Sequence, residues 1–328
     1  MNIIGGKSAT QLIECVDRLS DAYRAGPTYL GVVRILFALY VIARPVDYEW
    51  AGKVPAAFFQ PAPGPFSWLD HAPAPAFLLG LEITRLVLAV ALLIGYRTVG
   101  VSFAMAIVLV TGSGIANSFG KVDHFILFEI LPFAMAAAGW GAALSLDAHR
   151  AKNSHRARPI SRGLPILMWA MTVAFALFTA ALPKAISGWL DPSREATRGF
   201  VARDIVDPTK VGPLTSRVFQ IDSEWFWKLL DYATIVAEGW LIVLVLFPVL
   251  FRIGIAIILV FHLGVYLTLG IEFDSYLFVY LPFFSAPAMW LVNRITGSLL
   301  RGAPESTSVA AVDRRSSNPP GSQESYSI

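Results

Sequence analysis

Eight stretches of the chain consist almost wholly of apolar side chains, and the polar residues gather between them. They run over about 29–46, 76–95, 99–117, 122–140, 162–184, 226–247, 249–270 and 275–293. A hydrocarbon core of roughly 30 Å needs about 20 such residues per helix, so each run is long enough to cross a bilayer or nearly so. Backbone polar groups in lipid must be satisfied within the segment itself, and the pattern therefore predicts eight helices. The breakers agree with that reading: Pro45, Gly95, Gly141, Pro183 and Pro248 fall at or near the proposed ends. Two linkers are long. The first, 47–75, is rich in Pro and aromatic residues; the second, 185–225, carries mixed charge, with Trp189 and Trp225 toward its ends. Tryptophan suits the headgroup zone.

Outside the runs the character changes. In residues 1–28, Leu12, Ile13, Val16, Leu19 and Tyr23 recur at helical spacing with Glu14, Asp17 and Asp21 between them. This is the pattern of a helix lying along the membrane surface, and not of a cleaved leader. Residues 294–328 are polar and rich in Ser and Pro, and are expected to be a disordered tail. The expected organisation is thus an interfacial segment 1–28, a membrane domain 29–293 and a cytoplasmic tail 294–328.

Composition supports the class: 55% of the 328 residues are hydrophobic and 15% charged, with a mean hydropathy of +0.60. A soluble enzyme and an outer-membrane barrel are both excluded, the second because barrel strands alternate and do not form long apolar runs. The single cysteine, Cys15, leaves no intramolecular disulfide, CxxC pair or thiolate metal site. The absence of an internal repeat weighs against inverted-repeat transporters. Charge sets the expected orientation. The 141–162 linker holds Arg150, Lys152, Arg156, Arg158 and Arg162 against Asp147, which places it in the cytoplasm. With eight spans both termini are then cytoplasmic and both long linkers external, in a plasma (inner) membrane. The bilayer is the expected partner, and no nucleic acid is expected.

A charge at mid-bilayer costs at least about 2.5 kcal/mol, so ionisable residues within the runs call for a reason. Glu82 and Arg85, three apart on the second run, are expected to form a structural ion pair. Asp231, Thr234 and Glu238 make a stripe on one face of the sixth. His124, Lys184, His262 and Tyr266 all fall in the outer half, while Arg34 lies in the inner half. An outward-facing polar pocket follows. Core packing, snorkelling and interhelical hydrogen bonding explain these residues individually about as well as a site does.

Four places carry a resemblance to a known family: VVRILFALYVI with Arg34; VDHFILFEILPFAMAAAGWGAALSLDA with Asp123, His124 and Asp147; TAALPKAISGWLD with Lys184 and Trp189; and FHLGVYLTLGIEFDSYLF with His262. The chain resembles the HTTM (horizontally transferred transmembrane) domain proteins, relatives of the vitamin K-dependent γ-glutamyl carboxylases. The resemblance implies a membrane enzyme in which Lys184 is a base acting on a reduced quinone and His124 supports the substrate carbanion. Asp123 stands where the carboxylases have Asn. His262, Tyr266, Glu238, Asp123 and Trp189 would line the substrate or quinone pocket. The other class weighed is a non-catalytic protein that binds quinone or lipid, or anchors a larger complex. A redox-associated protein of the DoxX type is a third reading, against which the missing CxxC counts.

Overall fold

The computed structural model describes residues 4–61, 64–119, 125–153, 162–206 and 211–285. The chain divides into two units after Pro287, and all described residues belong to the first. The expected tail 294–328 and the end of the last apolar run, 286–293, lie outside the described residues, as do Asp123 and His124.

The elements that position the site are helices: α1 (Ile4–Tyr23), α2 (Pro27–Ala43), α3 (Pro75–Ile94), α4 (Thr98–Ala116), α5 (Ile126–Ala138), α6 (Gly163–Lys184), α7 (Ala196–Asp204), α8 (Glu224–Gly239), α9 (Pro248–Leu269) and α10 (Tyr276–Tyr280). No strand longer than the isolated Gln60–Phe119 bridge occurs among the described residues. Local chemistry sets the boundaries. Pro27, Pro75 and Pro248 open α2, α3 and α9, where the missing N–H has no helical acceptor to lose. Gly95, Gly139 and Gly270 close α3, α5 and α9 in left-handed conformation, with φ of 71°, 86° and 66°.

Four helices among the described residues are long and apolar enough to cross a membrane: α3, α4, α6 with its extension to Trp189, and α9. A fifth is reached if α1 and α2, bent by 59° at their junction, count together. The described residues thus supply four or five of the eight spans expected from the apolar runs. Helix α5 has 13 residues, the sixth run divides at Trp240 into α8 and a short helix Leu241–Leu244, and the eighth begins as α10 and a 3₁₀ turn, Leu281–Phe284. In the sixth run α8 carries Lys228, Asp231 and Glu238, each bonded to a polar partner elsewhere in the chain.

Large apolar side chains point outward from the long helices. Val87, Ile107, Phe175 and Val260 are each more than half exposed. At about 25 cal/mol per Å² such faces would be costly in water, whereas lipid solvates them at no cost. Inside, α2, α5 and α9 pack around Phe37, Trp140 and Phe251, all fully buried. The Trp140 indole N–H donates to Ser102 Oγ at 2.9 Å, so the one polar atom of that ring is satisfied within the core. A smaller cluster of Tyr48, Ala51, Phe59, Leu78 and Ile115 seats the first long linker on α3 and α4.

The residues that sequence pattern marked in the inner half turn out to build a corner. Arg34 donates to the carbonyls of Trp140 and Leu144, holding a turn in which Leu144 has φ of 50°. Asp147, three residues on, accepts from the backbone N–H groups of Arg97 (2.9 Å) and Thr98 (2.6 Å) and from the Thr98 hydroxyl (2.8 Å). It thereby caps α4 from a distant part of the chain.

Candidate functional site

Lys184 ends α6, and its ammonium donates to both carboxylate oxygens of Glu238 at 2.6 Å each. The Glu238 side chain is 8% exposed and that of Lys184 is 27% exposed. The pair forms because α6 and α8 pack side by side, which brings the end of one helix against the last turn of the other. Directly after Lys184 the helix widens into a π turn, Ala185–Trp189, in which Gly188 takes φ of 97°. That turn folds Trp189 back until its ring centroid lies 5.7 Å from the Lys184 ammonium, a cation–π contact. Single π turns of this kind gather at functional sites.

The surroundings are held by α8 itself. Lys228 donates to the carbonyls of Trp189 and Arg194 at 2.7 Å each and pairs with Asp231 at 3.0 Å. Asp231 also accepts from the backbone N–H groups of Ala196 (3.1 Å) and Thr197 (2.8 Å) and from the Thr197 hydroxyl (2.7 Å). These bonds satisfy the open N-terminus of α7 and place Phe200 beside Trp189, with ring centroids 5.6 Å apart. The result is a cavity of about 400 Å³ walled by Trp189, Phe200, Phe261 and Phe273, with Lys184 and Glu238 as its charged members. Such a space fits a ring compound with an apolar substituent.

Of the residues proposed from sequence, Lys184, Glu238 and Trp189 come together here. His262 and Tyr266 do not line this cavity; they line a second one, of about 370 Å³, on the neighbouring face of α9. Phe273 belongs to both, and its ring stacks on His262 at 4.0 Å with the planes 10° apart. His124 and Asp123 lie outside the described residues, so their relation to Lys184 is not described. Within the Asp231–Thr234–Glu238 stripe only Glu238 meets Lys184; Thr234 donates back to the Leu230 carbonyl at 2.8 Å and Asp231 serves α7.

Glu82 and Arg85 differ from the expected ion pair. Glu82 accepts from the Tyr48 backbone N–H, and Arg85 donates to the carbonyls of Val41 (2.7 Å) and Arg44 (3.3 Å). Each side chain secures a backbone group near the end of α2, and their opposite charges act on each other only at longer range. The three-residue spacing permitted contact, but unsatisfied helix-end carbonyls offered the guanidinium a better use. Sequence reasoning also missed Lys228 as an anchor; its signal was the i, i+3 spacing to Asp231. Among the described residues no group of three or more His, Cys, Asp or Glu is placed to hold a metal ion.

A helical bundle with lipid-facing apolar surfaces and several helices of bilayer length defines a multi-pass membrane protein. The HTTM domain family model matches residues 23–290, most of the chain, and the protein belongs to that family. No curated protein and no solved structure matches it.

Proposed function

We propose that this protein is a multi-pass membrane enzyme in which the Lys184–Glu238 pair accepts a proton from a ring-bearing substrate, a reduced quinone being the class that suits the cavity. The observation that carries this is a lysine joined to a carboxylate by two 2.6 Å bonds on the wall of a largely apolar cavity. Enclosed by apolar side chains, neither charge is well solvated apart from the other. Once one ammonium proton passes along the short bond to Glu238, the free amine can take the substrate's proton, which leaves an ammonium at Nζ facing the oxygen that lost it and Glu238 as the neutral acid. Trp189, Phe200, Phe261 and Phe273 would hold the ring and exclude water. A reduced quinone, when bound, supplies the acidic hydroxyl and the reducing equivalents. His124, by resemblance, would assist from the segment that enters α5.

The same reading places the site in the outer half of a plasma (inner) membrane protein of eight spans, with α1 interfacial and both termini cytoplasmic. The linker charges support this orientation. The experiment is oxidation of a reduced quinone by purified protein, with and without bicarbonate. Lys184→Arg keeps the charge but cannot release a proton near neutrality, so it should lose turnover as Lys184→Ala does, while remaining folded. Turnover retained in Lys184→Arg overturns the base assignment. In the second reading, a quinone- or lipid-binding anchor, the ion pair is a clasp between α6 and α8. Its two short bonds favour it, and it requires Lys184→Arg to behave as wild type.

A further inference from the structure

Helix α9 shows two adjacent faces to two cavities. Phe261, Gly264, Val265 and Thr268 recur at i, i+3, i+4 and i+7 and face the Lys184 cavity. Leu259, His262, Leu263 and Tyr266 recur at the same spacing and line the second cavity, which Leu277 and the acids Glu272 and Asp274 complete. This second space is graded along its length. Leu259 and Leu263 form its deep part, Tyr266 stands within a turn of the helix end, and the acids lie beyond the Gly270 cap. At 1.5 Å per residue the change from leucine to tyrosine takes about 10 Å. Leu263 and Leu277 are about half exposed, so the deep part opens sideways toward lipid.

The charges at the mouth are unequal. Arg44 pairs with Glu272 at 3.0 Å and also with Asp274, and Tyr40 donates its hydroxyl to Asp274 at 3.0 Å. One guanidinium thus serves two carboxylates, which leaves a negative excess, and all three groups remain substantially solvated. An occupant complementary to this surface is apolar below and cationic at the mouth. We propose that the second cavity binds one phospholipid with a primary-amine headgroup. Its acyl chain would lie against Leu259, Leu263 and Leu277, and its ammonium against Glu272 and Asp274. The site occupies the other face of α9 from Lys184, so it does not depend on the quinone reading.

The test uses the full chain in nanodiscs of equimolar phosphatidylethanolamine and phosphatidylglycerol, with retained lipid counted by native mass spectrometry. Wild type should retain the ethanolamine lipid over the glycerol lipid by about tenfold, and the Glu272→Gln/Asp274→Asn variant should retain both about equally. Glu272→Gln alone changes a solvated side chain and should give an intermediate ratio. Equal retention in wild type, a preference that survives the double change, or displacement of the lipid by excess free ethanolamine would each overturn the proposal.

Discussion

Removing Lys184 while leaving Glu238 in place strands a carboxylate that is almost wholly enclosed. Breaking a buried ion pair from one side costs about 3–5 kcal/mol, and the quarter of the Lys184 side chain that meets solvent favours the lower end. A second route to the magnitude agrees. The stranded acid escapes its charge by taking a proton, which at pH 7 costs an ordinary glutamate, titrating near 4.3, about 3–4 kcal/mol at 1.36 kcal/mol per unit. Lys184→Met should therefore lower stability by about 3 kcal/mol at pH 7 and by about 1 kcal/mol at pH 5, where the proton is cheaply bound. Glu238→Gln should cost less, about 1 kcal/mol, because the lysine that remains can extend toward water. The double variant should resemble Glu238→Gln alone, giving a coupling of about 3 kcal/mol. Melting in detergent at both pH values reads this directly, since 1 kcal/mol corresponds to about 2–4 °C in chains of some 150–250 residues. Equal losses from the two single changes, additivity in the double variant, or no relief at pH 5 would refute the reasoning.

Two further outcomes follow from other parts of the fold. A Cβ at Gly163 would lie 2.0 Å from the Ser20 carbonyl oxygen, so Gly163→Ala should lift α1 from the start of α6; a spin label on Cys15, exposed and the only cysteine, should become more mobile, and an unchanged spectrum would contradict the docking. The Asp191 carboxyl is held below the usual carboxylate range by the Ser193 backbone N–H, then by the Ser193 hydroxyl, with Arg194 and Lys228 adding to it. That stabilisation is present above about pH 4 and is lost as pH falls through the lowered value, so the melting temperatures of wild type and Asp191→Asn should converge in acid; a gap that widens there would reverse the sign.

Much of this architecture is visible in the order of residues, because the length of an apolar run and the breakers at its ends are local properties. The helix α3, for example, spans Pro75–Ile94 where the pattern marks 76–95. That Lys184 closes its apolar run and Glu238 falls within the sixth is local too. Their bond is not, since it depends on how α6 and α8 rotate against each other, and no spacing between positions 184 and 238 encodes that. Glu82 and Arg85 are the opposite case: the spacing describes only reach, and the hydrogen bonds of the two side chains go to Tyr48, Val41 and Arg44. Asp147 illustrates a third case. Its motif was recognisable, but its work as a remote cap for α4 appears only when Gly95–Thr98 is folded beside it.

The kink after Lys184 has a mechanical consequence. Gly188, at φ of 97°, leaves helical geometry, so the register of α6 ends there and Trp189 takes its direction from the glycine instead of from the helix. A Cβ at position 188 would be strained by that φ and would lie 3.0 Å from the Arg194 guanidinium, so Gly188→Ala should turn the tryptophan away from the Lys184 ammonium while leaving α6 in place. One glycine thus sets whether the aromatic wall of the cavity stands against the ion pair.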